Sequence, residues 1–225
     1  MPRSTAKSAK VTVNEKITVS ALIQVPAKSR ALYVFAHGAG AGMEHAFMAA
    51  FSSELAARGI GTLRFNFPYL DQGSRRPDPP ALCHATIRAA VALARRRWPR
   101  LKIIAGGKSF GGRMTSQAQA DEPLVGVSGL AFVGFPLHPP TQPSTKRADH
   151  LKDVQVPMLF LQGTRDDLAD LKKLKPVIRK LGKRATLKLC QEADHGFHVL
   201  KRSGRTNDEV MSELADAFVA WADAI

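Results

Sequence analysis

The sequence predicts a single-domain α/β fold with a mostly parallel central sheet, helices on both of its faces and no large lid. Three observations carry this expectation. Short apolar runs alternate along the chain with segments of helical period. Most of these runs are apolar on both faces of a strand, which fits a parallel sheet covered by helices on each side. Glycines crowd several junctions where a strand gives way to a helix.

The elements follow in order. "MPRSTAKSAK" opens the 225-residue chain; it is basic and Ser-rich and has no apolar stretch of the kind a secretory signal needs. Residues 1–16 are expected to form a flexible basic tail, and residues 17–225 the folded domain. "ITVSALIQVP" (17–26) alternates like an edge or half-buried strand, and "ALYVFAHGAG" (31–40) reads as a buried strand running into glycines. "EHAFMAAFSSELAARG" (44–59) places Phe47, Met48, Phe51 and Leu55 on one helix face and stops at Gly59. A strand, "GTLRFNF" (61–67), leads into the turn-rich loop "PYLDQGSRRPDPP". Asp78 and Pro79 are expected as N-cap and first residue of the next helix, which ends near Pro99.

"LKIIAGG" (101–107) is the next strand, and a helix is expected from Ser109 onward. "GLAFVGF" (129–135) and "VPMLFLQG" (156–163) are two further buried strands. Only about twenty residues separate them, too few for a lid domain, so an open, shallow site is expected. "LKKLKPVIRKLGKR" (171–184) keeps an apolar helix face beneath lysines and arginines. "ATLKLCQ" (185–191) is the last strand, and the closing helix, 206–225, opens with a Thr206–Glu209 capping box.

Composition narrows the classes. Hydrophobic residues make up 44% and charged residues 23%, values ordinary for a globular chain with room for one large core. No apolar run approaches the roughly 18 residues of a membrane span. Cys83 and Cys190 fit neither metal nor redox spacing and read as free thiols in a reducing cytoplasm. The net charge is +14, but it is spread along the chain, its densest part is the solvated helix face at 171–184, and no nucleic-acid motif accompanies it. Neither a nucleic-acid partner nor a metal or other cofactor is expected.

Ligands of such sheets bind beyond the carboxyl ends of the strands. The chemistry-bearing residues of this chain fall there. Gly107-Lys108-Ser109-Phe110-Gly111 matches G-x-S-x-G between a strand and a helix. A nucleophile on so tight a turn needs glycine on both sides, because side chains would strike the flanking backbone. A serine needs a base, and the base needs an orienting acid. "FLQGTRDD" supplies Asp166, with Asp167 as the competing acid, and "QEADHGFH" supplies His195, with His198 as the competing base. Each follows a strand, in the order Ser, Asp, His that this class of sheet uses. The glycines of "AHGAGAG" let the N–H of Ala39, with Gly40 beside it, join that of Phe110 as an oxyanion hole. His37 reads as a structural hydrogen-bonding residue. Arg75 and Arg76, in a loop on the same side of the sheet, are candidate holders of an anionic substrate group, set against a plain solvated loop.

In that order, "AHGAGAG", "GGKSFGG", "GTRDD" and "DHGFH" resemble the oxyanion loop, nucleophile elbow, acid turn and histidine loop of the α/β-hydrolase superfamily. "FNFPY", "RRPD" and "GGKSFGGR" are similar to a compact subgroup related to dienelactone hydrolases, and the likeness covers roughly residues 17–225. The resemblance implies Ser109 as nucleophile, Asp166 as acid, His195 as base, and the N–H groups of Ala39 and Phe110 as oxyanion donors. One departure stands out: dienelactone hydrolase has a cysteine where this chain has Ser109. The expected activity is therefore that of a serine hydrolase on a small or medium ester or thioester. The competing expectation is a non-catalytic scaffold that uses the basic surface of the same fold.

Overall fold

The computed structural model describes residues 5–225. The chain runs through β1 (Lys7–Thr12), β2 (Thr18–Gln24), β3 (Ala31–Ala36), α1 (Ala46–Ala57), β4 (Ile60–Phe65), α2 (Pro68–Asp71) and α3 (Pro80–Arg97). It continues with β5 (Lys102–Lys108), α4 (Phe110–Asp121), β6 (Val127–Val133), β7 (Met158–Gly163), α5 (Leu171–Leu181), β8 (Ala185–Cys190) and α6 (Asn207–Ala224). The strands form one sheet in the order β1-β2-β4-β3-β5-β6-β7-β8. β1 with β2 and β2 with β4 are antiparallel; every other pair is parallel.

Burial follows from that order. β3, β4 and β7 are buried at every residue, as strands inside a sheet covered on both faces must be. One face packs beneath α3, α4 and α5 through Ile87, Val91, Met114, Leu174 and Ile178. The other packs beneath α1 and α6, where Tyr33, Phe35, Phe51 and Phe218 form a ring-on-ring cluster with centroids 4.7–6.2 Å apart. Each such side chain stabilises the fold by roughly 1.5–3 kcal/mol on burial. The connection between β6 and β7 holds turns and a 3-10 helix at Lys146–Asp153 rather than a lid domain. Among the described residues no helix is long and apolar enough to cross a membrane.

Two expectations change. The tail foreseen over residues 1–16 lies partly outside the described residues, but Lys7–Thr12 form β1, paired residue by residue with Thr18–Ile23. Val11 alone in it is buried, so its apolar signal is too thin to read; the lysines of this edge strand face solvent, which also discourages further pairing. Asp78 and Pro79 are shifted by one role. Pro79 is the N-cap and Pro80 begins α3, while the Asp78 carboxylate accepts from the Tyr69 N–H at 3.0 Å. Two successive prolines can start a helix without a side-chain cap, which frees the aspartate to hold the loop.

The chain leaves β3 toward β4 on one side and returns to β5 on the other. The carboxyl ends of β3 and β5 thus flank the switch point of the sheet, where a crevice opens.

Candidate active site

Ser109 sits at that crevice, between the end of β5 and the start of α4. Its backbone has φ 50° and ψ −116°, a conformation costly for any residue with a Cβ. The Ser109 N–H donates to the Val133 carbonyl at 3.1 Å, which helps hold the bend. The two flanking glycines are sterically required. A Cβ on Gly107 would lie 2.5 Å from the Ala36 carbonyl oxygen, and one on Gly111 would lie 2.5 Å from the carbonyl oxygens of both Ala36 and His37. The helix can therefore start directly against β3, with the hydroxyl raised above the sheet.

His195 Nε2 lies 2.9 Å from Ser109 Oγ, and His195 Nδ1 lies 2.8 Å from Asp166 Oδ2. A carboxylate only accepts, so Nδ1 carries the proton and Nε2 is left to accept from the serine hydroxyl. Asp166 is 6% exposed, which shields its pairing with the imidazole from water. Its other oxygen accepts from the Leu168 N–H at 2.8 Å. Asp166 does not cap the following helix; Asp170 does, accepting from Lys172 N–H. The competing acid, Asp167, is exposed. The competing base, His198, is exposed and pairs with Asp194, whose Oδ1 accepts the His198 N–H at 2.9 Å.

Among the described residues the backbone N–H groups of Ala39 and Phe110 have no hydrogen-bond acceptor. Gly40 differs: its N–H donates to the Tyr69 hydroxyl at 2.9 Å and is not free for a substrate. His37 is fully buried and clamps this loop. Its Nδ1 donates to the Gly38 carbonyl at 2.7 Å and its Nε2 accepts from the Phe67 N–H at 3.0 Å. Burial pushes its pKa down to about 4, so it stays neutral.

Two positioning residues escaped the sequence. Gln162 is fully buried at the end of β7; its Nε2 donates to Asp166 Oδ2 and its Oε1 accepts from the Phe135 N–H at 2.9 Å. His138 bridges the loop after β6 to the acid turn, donating to the Pro139 carbonyl and accepting from the Asp170 N–H at 2.9 Å. Neither belongs to a spacing pattern, so nothing short of the packed loops identifies them.

A cavity of about 560 Å³ opens beside Ser109 and His195. Phe47, Met48, Leu168, Phe197 and Met211 make its wall largely apolar, and Lys108 is the cation on it. Arg75 and Arg76 are exposed on the loop after α2 and are not part of that lining. The loop they occupy follows β4, displaced to the far side of β3 from the His195 loop. No group of three or more His, Cys, Asp or Glu able to hold a metal ion occurs among the described residues.

The model of the alpha/beta hydrolase domain matches residues 29–223, and the chain belongs to this family. Solved structures agree on the fold. A serine hydrolase without a lid from Xanthomonas campestris superposes with a TM-score of 0.75 at 19% identity, over 96% of this chain and 94% of that one. A dienelactone hydrolase from Anabaena variabilis gives 0.76 at 19% identity, over 97% of both chains. Est1E from Butyrivibrio proteoclasticus, with ferulic acid bound, gives 0.75 at 16% identity, over 96% of this chain and 100% of that one.

Proposed function

We propose that the protein is a serine hydrolase that cleaves a small or medium carboxylic ester or thioester through an acyl-enzyme. The observation that carries the reading is the unbroken hydrogen-bonded line from Ser109 Oγ through His195 to Asp166. In this mechanism His195 Nε2 takes the hydroxyl proton as Ser109 Oγ attacks the carbonyl carbon. The oxyanion that forms is met by the N–H groups of Ala39 and Phe110. The latter lies at the N-terminus of α4, whose dipole favours negative charge. The imidazolium gives its proton to the departing alcohol or thiol, leaving Ser109 acylated. Water, deprotonated by the same imidazole, then releases the acid. Asp166 keeps the imidazole in the required tautomer and balances its transient charge.

The cavity supports the substrate class. Its volume and apolar wall suit a compact acyl or alcohol group. Two of the structural neighbours, a dienelactone hydrolase and Est1E with ferulic acid bound, are in keeping with a small-molecule substrate. No cofactor takes part in this scheme. Cys83 and Cys190 are buried and unpaired, which fits action in the cytoplasm.

A fluorophosphonate probe tests the reading. The wild-type protein is expected to label at Ser109, and Ser109→Ala to remain unlabelled and to lose on the order of a millionfold in turnover of p-nitrophenyl esters. Equal labelling of both proteins, or of neither, would overturn the proposal. Absence of labelling together with salt-sensitive binding to a polyanion would favour the scaffold instead.

A further inference from the structure

Between Gly107 and Ser109 the chain places a lysine. Lys108 ends β5, and its half-buried side chain lies along the cavity wall toward Phe47 of α1 and Phe197. Its Nζ donates to the main-chain carbonyl of His195 at 2.5 Å. The same ammonium lies 5.5 Å from the ring centroid of Phe47 and 5.2 Å from that of Phe197, both within cation–π range. The two rings themselves stack at 5.7 Å. One positive charge thus joins the strand that carries the nucleophile, the first long helix and the loop that carries the imidazole.

That loop needs a fastening. It is closed on itself by the Ala193–Val199 bridge and by the Phe197 N–H donating to the Asp194 carbonyl at 3.0 Å. Phe197 has φ 65°, an unfavourable conformation for a residue with a Cβ. Burying an ammonium is expensive unless it is well partnered, and an apolar side chain would fill the space between the rings at less cost. The charge has a use: a carbonyl held by an ammonium at the residue that bears the imidazole limits how far that ring can swing from Ser109.

We propose that Lys108 is the positioning residue for His195, gripping its main-chain carbonyl so that the imidazole stays within hydrogen-bonding distance of Ser109. The inference rests on the serine-hydrolase reading for its kinetic consequences but not for its structural ones. Asp166 of the acid turn and Asp194 of the histidine loop are the charges that act on the ammonium. The other titratable groups on the elements lining the same cavity are His195 and His198 of the histidine loop, His45 at the start of α1 and Asp208 in the first turn of α6. Burial dominates and lowers the lysine pKa to about 8, while Asp166 and Asp194 work in the opposite direction. Below about pH 8 the amine is charged and the grip is made; as pH rises through that value the charge-assisted bond and both cation–π contacts weaken.

Lys108→Met and Lys108→Arg, with Ser109→Ala as the control, test this. On a neutral p-nitrophenyl ester, Lys108→Met is expected to lose about 10- to 100-fold in kcat with KM nearly unchanged, the size of an effect set by misplacing a catalytic group. Wild-type kcat is expected to fall as pH rises past about 8, and that fall to be absent from Lys108→Met. It is expected to vanish also in Lys108→Arg, which stays charged and recovers part of the rate. A raised KM with unchanged kcat, or an alkaline fall that survives in Lys108→Met, overturns the proposal. A crystal structure of Lys108→Met decides it without any assay. The His195 ring is expected to leave hydrogen-bonding distance of Ser109 Oγ, and an unmoved ring overturns the inference. If the wild type itself fails to label with the fluorophosphonate, the hydrolase reading fails while that structural comparison still stands.

Discussion

Asp166 is the residue on which the rest of the hydrogen-bonded line depends, and its environment is specific. Gln162 donates to the oxygen that faces His195 and, through its own carbonyl oxygen, holds the Phe135 N–H, so one buried amide fixes two strand ends together. Replacing it by glutamate puts two carboxylates side by side, and one of them must then hold a proton at higher pH. For Gln162→Glu we expect the acid limb of the kcat/KM profile to move to higher pH. An unshifted limb, measured on the same ester, would show that Gln162 has no electrical contact with the acid. At this scale the legibility of the sequence was uneven. The turn at Ser109 was readable because a clash with backbone atoms leaves no choice but glycine at 107 and 111. Gln162, His138 and Lys108 were not, because any side chain of suitable size satisfies the local pattern and only the partner across the fold makes the polar group necessary.

At the scale of elements, α6 shows what local and long-range forces each contribute. Its N-terminus carries the expected capping box, with Thr206 Oγ1 accepting from the Glu209 N–H at 3.2 Å and Glu209 accepting from the Thr206 N–H at 2.7 Å. Its body buries Leu214, Phe218 and Trp221 against the sheet. Thr206→Ala is expected to cost about 1 kcal/mol, and Phe218→Ala about 3–5 kcal/mol, in urea unfolding. A Thr206 effect as large as that of Phe218 would mean that the cap, rather than packing, holds the helix. Strand and helix identities were legible throughout because their apolar periods differ. The exceptions were elements whose signal is small: β1, with one buried residue, and α2, four residues inside a turn-rich loop.

Across the whole molecule, part of the basic side-chain set is used structurally, while the net charge of +14 is left over from such pairs. Arg30 pairs with Asp223, Arg58 binds Glu54, Asp216 and Ser212, and Arg205 pairs with Glu213, so several cations fasten α6 rather than await a partner. Two histidines, His37 buried and His150 half-buried, make stability depend on pH. Burial holds the pKa of His37 at about 4, and burial with the nearby Arg113 holds that of His150 at about 4. Unfolding returns both to their ordinary value of 6.5, so between those limits the unfolded chain binds more protons. Their contribution is complete above pH 6.5 and is lost as pH falls toward 4. For the fully buried His37 it is on the order of 3 kcal/mol. Denaturation at pH 7 and pH 5 is expected to show the difference before most carboxylates titrate, and equal stability at the two would refute it.

Taken alone, the sequence determined the layered α/β architecture, the class of turn at Ser109, and the order of serine, acid and histidine along the chain. These are local consequences of apolar period and backbone sterics. Which carboxylate faces which imidazole, which N–H groups stay free beside the serine, and why a lysine stands next to it were decided only by the tertiary structure. Hydrogen bonds and charge contacts between residues dozens of positions apart depend on where the strand ends meet, and no periodicity along the chain encodes that meeting.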